Sequence, residues 1–248
     1  MFKDRGNPSG IFCITHIIIL TILLIIVAIL LYFSLKLSKE KIKKISKITI
    51  IIISILELIK IIYNFIYGYF VLEYWLPLSY CAIFILAMWF ASFGKGNLEK
   101  LGNDFIACSF IAGLGFLVFP VSSLNEVPWY HYLALYSFLY HSTMLYFGIL
   151  YTVKVVDKVD KSVFLNHLIL VLSYSVLALL LNSLFDINLM FVSKAVEIPI
   201  TFVYNFLNRI GKFLFILIIY IYIFFPYLFA YILSLVKNKA SKKTHSNI

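Results

Sequence analysis

Charge is scarce in this sequence and arginine is nearly absent. Only 13% of the residues are charged, where a soluble domain carries about a quarter. Arg5 and Arg209 are the sole arginines beside plentiful lysine, a bias expected of an AT-rich bacterial genome rather than of a mechanism. Cysteine is limited to Cys13, Cys81 and Cys108. An odd number in apolar runs, at no metal-ligand spacing, excludes a disulfide framework and argues against a metal centre; each is read as a small hydrophobe. No G-x-S-x-G, H-E-x-x-H, Walker or G-x-G-x-x-G pattern occurs, so no cofactor is expected and the common hydrolase and nucleotide sites are absent. The first apolar run, residues 11–33, is too long for a signal h-region, and no A-x-A-like site follows it. It is read as a retained span.

What fills the chain instead is apolar. Hydrophobic residues make up 63% and the mean hydropathy is +1.00. Seven runs are long enough to cross a bilayer of about 30 Å: residues 11–35, 48–70, 75–92, 103–120, 129–152, 163–184 and 212–236. A lipid-exposed backbone must satisfy its own hydrogen bonds, so all are expected to be helices. The fold class is therefore all-α, a polytopic membrane helical bundle of about seven spans. Residues 1–236 form one transmembrane domain and 237–248 a basic, disordered cytoplasmic tail.

The net charge of +10 is not read as a nucleic-acid signature, because the lysines sit in short loops between apolar runs. Loops 36–47, 93–102 and 153–162 and the tail hold Lys36, Lys39, Lys41, Lys43, Lys44, Lys47, Lys95, Lys100, Lys154, Lys158, Lys161, Lys237, Lys239, Lys242 and Lys243. The other side holds Lys3, Arg5, Lys194, Arg209 and Lys212. The positive-inside rule then sets N-out, C-in in a plasma membrane, with membrane lipids as partners. Trp75, Trp129 and Tyr130 mark outer span ends. The 185–211 connection is too polar for an eighth span and too apolar for a free loop. An interfacial helix or a re-entrant segment on the outer face fits it.

Ionisable residues inside spans are costly and default to functional candidates. Glu57, Lys60 and Asn64 follow at i, i+3 and i+7, on one face of span 2. Glu57 lies about 15 Å beyond Lys47 along that helix, near the midplane. The plain reading is a self-neutralising Glu57–Lys60 pair; the functional one is a face lining a polar cavity. His141 lies about 18 Å from Trp129 along span 5, where imidazole can act as acid or base. His131 reads as interfacial, His16 as buried and hydrogen-bonded, and His167 as snorkelling at the inner interface. Cys81 lies about 9 Å from Trp75, so a Cys81–His141 dyad requires tilt or shifted boundaries.

Three segments together resemble the YwaF-type family of bacterial integral membrane proteins. Glu57 to Cys81 looks like that family's span-2 Glu followed by Leu-Pro-Leu-His-Leu-Cys. The hexad here is Leu76-Pro77-Leu78-Ser79-Tyr80-Cys81, with Ser79 in place of the histidine. Phe138-Leu139-Tyr140-His141 is similar to the family's span-5 histidine segment. Asn188-Leu189-Met190-Phe191-Val192-Ser193-Lys194-Ala195 is similar to Asn-Tyr-x-Tyr-Leu-x-x-Lys-Pro, with departures at Leu189 and Ala195. The family is distantly similar to a eukaryotic transmembrane group with lipid acyltransferase activity, which uses a cysteine and a histidine. That resemblance implies a role for His141. Its cysteine directly follows the proline, where Leu78 stands here; Cys81 is three residues later.

Two functions are therefore expected to compete. One is an intramembrane enzyme on lipid acyl groups, with His141 as base, Cys81 or Ser79 as nucleophile, and Asn188 or Lys194 steadying an oxyanion. The other is a transporter or ligand-binding protein whose Glu57, Lys60, Asn64 and His141 line a midplane site for a small solute.

Overall fold

The computed structural model describes residues 6–67, 77–194, 201–210 and 213–246. Among them every regular element is helical. The main helices are α1 (Ile14–Ser34), α2 (Lys39–Ile66), α3 (Ile83–Phe93), α4 (Asn97–Val118), α5 (Tyr132–Leu150), α6 (Lys161–Phe185), α7 (Thr201–Ile210) and α8 (Leu214–Ser246). A π turn, Tyr151–Val155, extends α5, and single turns occur at Val121–Leu124 and Leu189–Phe191. Five helices among the described residues are long and apolar enough to cross a membrane: Ile14–Ser34, Asn97–Val118, Tyr132–Val155, Lys161–Phe185 and Leu214–Lys239.

The boundaries follow local chemistry. Ser38 accepts from the Lys41 N–H and starts α2 inside the lysine loop, well before residue 48. Asp160 accepts from the N–H groups of Ser162 and Val163 and starts α6. The Cys13 thiol accepts from the His16 N–H and caps α1, a use beyond that of a small hydrophobe. The expected third span is the least helical. Trp75 and Leu76 lie outside the described residues, residues 79–82 form turns, and the helix itself has 11 residues. That is about 16 Å, half a bilayer core. Pro77 and the Ser79 hydroxyl, which accepts from the Ala82 N–H at 3.1 Å, hold the chain out of helix there. The tail corrects the opposite way: α8 runs on through Lys237 to Ser246. A long helix is already nucleated there, and adding lysine and alanine residues to it is cheap.

α4 is the central post, packed most closely on α5 and α3 and also against α6 and α8. Small residues allow this approach. A Cβ added at Gly113 would sit 2.7 Å from both the His141 carbonyl oxygen and the Leu145 nitrogen. Gly148 of α5 lies equally close to the Phe110 backbone of α4. By contrast α1 buries only His16, Val27 and Ser34; Ile19, Leu20, Leu23 and Leu31 pack partly against the core, while Ile17, Ile18, Ile22, Ile25, Ile26 and Ile29 face outward.

Two histidines serve the backbone. His16 Nδ1 accepts from the Phe12 N–H, so Nε2 donates to the Leu117 carbonyl at the end of α4, 2.9 Å away. His167 is fully buried rather than snorkelling, and its Nε2 donates to the Tyr222 carbonyl at 3.0 Å. Pro226, four residues on, has no N–H to offer that carbonyl. The proline therefore creates the vacancy in the helix ladder that the histidine closes.

The lysine-rich segments gather at one end. Lys39 pairs with Asp157 at 2.8 Å and Lys43 with Glu99 at 2.5 Å. Lys100 joins Asp104 and Ser162, and Lys237 donates to the Val156 carbonyl at 3.1 Å. At the other end the Gly10 N–H meets the Leu124 carbonyl and Ser9 accepts from the Trp129 N–H.

Candidate functional site

The inward face of α2 carries Ile50, Ile53, Glu57 and Asn64, all buried, while Ile48, Ile51, Ile52 and Ile55 face out. This places Glu57 against α5. Its Oε1 accepts from Lys60 Nζ at 2.5 Å and its Oε2 from the Tyr136 hydroxyl at 2.5 Å. The carboxylate is thus held between a cation one turn away and a phenol on the neighbouring helix. Asn64 lies buried farther along the same face.

Tyr136 belongs to a stripe. Tyr132, Tyr136 and Tyr140 recur every fourth residue, so they share one face of α5. Tyr132 donates to the Leu56 carbonyl at 2.8 Å, and Tyr140 donates to the Cys81 carbonyl at 2.6 Å. The three hydroxyls bind α5 to α2 and to the turn before α3. Rings of Tyr136 and Tyr140 lie 5.9 Å apart, and Tyr140 meets His141 edge-on at 5.2 Å. The sequence reading passed over this stripe; its i, i+4, i+8 spacing, opposite a carboxylate on another helix, was the available signal. His131, expected at the interface, stands at the start of α5, which it caps; it is 1% exposed and meets the Tyr63 hydroxyl at 3.0 Å.

His141 is buried, with 7% of its surface exposed. Its ring stacks on Phe116 of α4, centroids 3.6 Å apart and planes 9° from parallel. Gly113, one turn before Phe116, brings α4 close enough for that stacking. Nδ1 lies 2.7 Å from the Ser137 carbonyl oxygen. A carbonyl only accepts, so Nδ1 carries the proton and Nε2 presents a lone pair. Nε2 makes no hydrogen bond among the described residues. The arrangement can remove a proton from a group brought to Nε2.

Cys81 is half-buried with a free thiol. The Tyr140 hydroxyl ties its backbone to the residue next to His141, yet no hydrogen bond joins the Cys81 thiol or the Ser79 hydroxyl to the imidazole among the described residues. Ser79 already accepts from Ala82.

Asn188 and Lys194 form a separate unit. Asn188 Oδ1 accepts from the N–H groups of Ser193 and Lys194, and its Nδ2 donates to the Lys194 carbonyl at 2.9 Å. Lys194 Nζ pairs with Asp186 at 2.7 Å and, by hydrogen bond and charge, holds that carboxyl below its usual range. Asn182 anchors the loop: it accepts from the Leu189 N–H at 2.7 Å and donates to the Leu189 carbonyl and the Ser193 hydroxyl. Leu189 and Met190 are pressed into the bundle, where Tyr222 donates to the Met190 carbonyl. The structure thus brings Glu57, Lys60, Tyr136, Tyr140, His141 and the Cys81 backbone into one connected region. The hydrogen bonds of Asn188 and Lys194 given above, and the Lys194–Asp186 ion pair, lie within residues 186–194. No group of three or more metal-ligating side chains occurs among the described residues.

No curated protein and no solved structure matches this chain. A family profile does, over residues 11–231, which include every residue of the region just described. By that match the chain belongs to the TMEM164 family, a family of membrane proteins.

Proposed function

We propose that this protein is an intramembrane enzyme of lipid acyl transfer or hydrolysis with His141 as its general base. The observation that carries the reading is the buried imidazole whose Nδ1–H is committed to the Ser137 carbonyl and whose Nε2 has no hydrogen-bond partner among the described residues. A backbone carbonyl orients the ring as a third group orients the base in other nucleophilic sites. The Cys81 thiol, or the Ser79 hydroxyl, gives its proton to Nε2 as its sulfur or oxygen bonds to an ester carbonyl carbon. The tetrahedral oxyanion collapses, the alkoxide leaves with the proton from the imidazolium, and an acyl-enzyme remains. An acceptor hydroxyl, or water, then loses its proton to Nε2, takes the acyl group and restores the nucleophile. Glu57, Lys60 and Tyr136 hold α2 and α5 in register around the site, and Asn188 and Lys194 shape the neighbouring loop.

The wider reading has seven spans, N-out and C-in, in a bacterial plasma membrane. The lysine-rich end, held together by Lys39–Asp157 and Lys43–Glu99, is then cytoplasmic. The YwaF-type resemblance supports the same assignment.

The test is covalent labelling of membranes with a thiol-reactive acyl probe and a lipid-like fluorophosphonate. Loss of label in Cys81→Ala or in Ser79→Ala identifies the nucleophile. Labelling unchanged in both removes both residues from the role. A second reading, transport of a small solute, draws on the charged Glu57–Lys60–Tyr136 cluster within the bundle. Gradient-driven uptake into proteoliposomes that is abolished in Glu57→Gln, without any acyl labelling, favours it.

A further inference from the structure

The stretch between α6 and α8 contains two unlike pieces. Leu189, Met190 and Val192 fold back into the bundle and are buried, at 2–3% exposure. α7 buries no residue at all. Its composition is nonetheless sharply divided. At 100° per residue, Phe202, Val203, Phe206, Leu207 and Ile210 occupy one side, and Thr201, Asn205, Asn208 and Arg209 the other. Val203, Leu207 and Ile210 are half-covered. Phe202 is 80% exposed and Phe206 50%, four residues apart on one edge of the apolar side.

Connectivity fixes which end of the bundle α7 occupies. α6 starts beside Asp160, next to the lysine cluster, and Lys237 near the end of α8 reaches Val156 in that cluster. Phe185 and Leu214 therefore both stand at the opposite end, and the chain that joins them carries α7 there. Ten residues of helix span about 15 Å, half the hydrocarbon thickness, so α7 does not cross. Both helices that it links are among the five long and apolar enough to span. Two bare phenylalanines beside such helices meet lipid, while asparagines and an arginine on the other side need water or phosphate.

We propose that α7 is an in-plane helix that binds the phospholipid interface at the end of the bundle opposite the lysine cluster. Phe202 and Phe206 enter the acyl layer, and Asn205, Asn208 and Arg209 lie among the headgroups. Together with the inserted Leu189–Val192 segment it pins the α6–α8 connection between protein and membrane.

The experiment places spin labels singly at 202, 205, 206 and 209, in a background with Cys13, Cys81 and Cys108 replaced, and reconstitutes the full chain in phosphatidylcholine vesicles. Collision with oxygen, enriched in lipid, is expected to dominate at 202 and 206; collision with a water-soluble nickel chelate is expected to dominate at 205 and 209. Should the cysteine-free chain fail to fold, lipid-borne diazirine photolabelling of the unmodified chain takes its place, with label expected on Phe202 and Phe206. High nickel access at all four positions, or no diazirine label, overturns the proposal in favour of a helix projecting into water. Shielding of all four from both reagents overturns it in favour of cover by a second copy or another protein.

Discussion

Two polar clusters among the described residues, one around Asn182 and one around Glu57 and His141, are of similar size and opposite character. Around Asn182 the polar side chains are partnered by the end of α6 and the loop that follows it: both ends of Asn188, both ends of Asn182, and the Lys194–Asp186 pair. Around Glu57 and His141 the carboxylate and three tyrosines are likewise satisfied, yet among the described residues one imidazole nitrogen has no partner. The first cluster is what a membrane bundle needs to hold an irregular loop. The second is a braced scaffold around a nitrogen with no partner among the described residues. A polar residue in a span is thus read better by what it leaves unbonded than by its cost of burial alone.

The strongest way to break this comparison is at Gly113. Leucine there drives a side chain into the His141–Leu145 backbone, which lies 2.7 Å from the first added carbon. Overpacking of this kind costs about 3 kcal/mol, so the melting temperature in detergent is expected to fall and the α4–α5 site to lose its labelling. Asn182→Ala strikes the other cluster. It takes the side-chain acceptor from the buried Leu189 N–H and a donor from the Leu189 carbonyl, at a cost of about 2 kcal/mol. Proteolysis of the 186–194 loop is expected to accelerate while labelling through His141 persists; loss of labelling would merge the two clusters.

Smaller effects sharpen the contrast. Tyr136→Phe removes one charge-assisted hydrogen bond from Glu57, worth about 1.5 kcal/mol, and is expected to lower thermal stability without abolishing labelling. Lys39→Ala touches neither cluster. In the wild type Lys39 hydrogen-bonds the Asp157 carboxyl and holds it below its usual range. A lowered carboxyl contributes stability above its unfolded value, near 3.9, and loses it as pH falls through the folded one. The pair is exposed, so the variant is expected to lose no more than about 0.5 kcal/mol at neutral pH and the difference to vanish in acid.

Much of the architecture was legible because lipid permits few alternatives. Apolar runs mark helices, and lysine marks one end of the bundle, as the Lys39–Asp157 and Lys237–Val156 contacts bear out. The spacing of Glu57, Lys60 and Asn64 predicts a shared face, and Glu57 and Lys60 do pair. Residues near 77–82 misled: Pro77 and Ser79 stand in plain view of the sequence, but the Ser79 bond to the Ala82 N–H that accompanies the turns there is seen only in the fold. His167 misled because its partner is the Tyr222 carbonyl, 55 positions away in sequence and released by Pro226, and no local pattern records such a pairing. The tyrosine stripe was legible by spacing but not by value: each hydroxyl matters only for the acceptor that tertiary packing delivers.

The most direct test of the account is acyl-probe labelling of wild type against His141→Ala, with folding of both checked by size-exclusion chromatography and helical circular dichroism. The account predicts strong labelling in the wild type and its loss in a folded His141→Ala. Equal labelling of the two proteins, or none in a folded wild type, would contradict it.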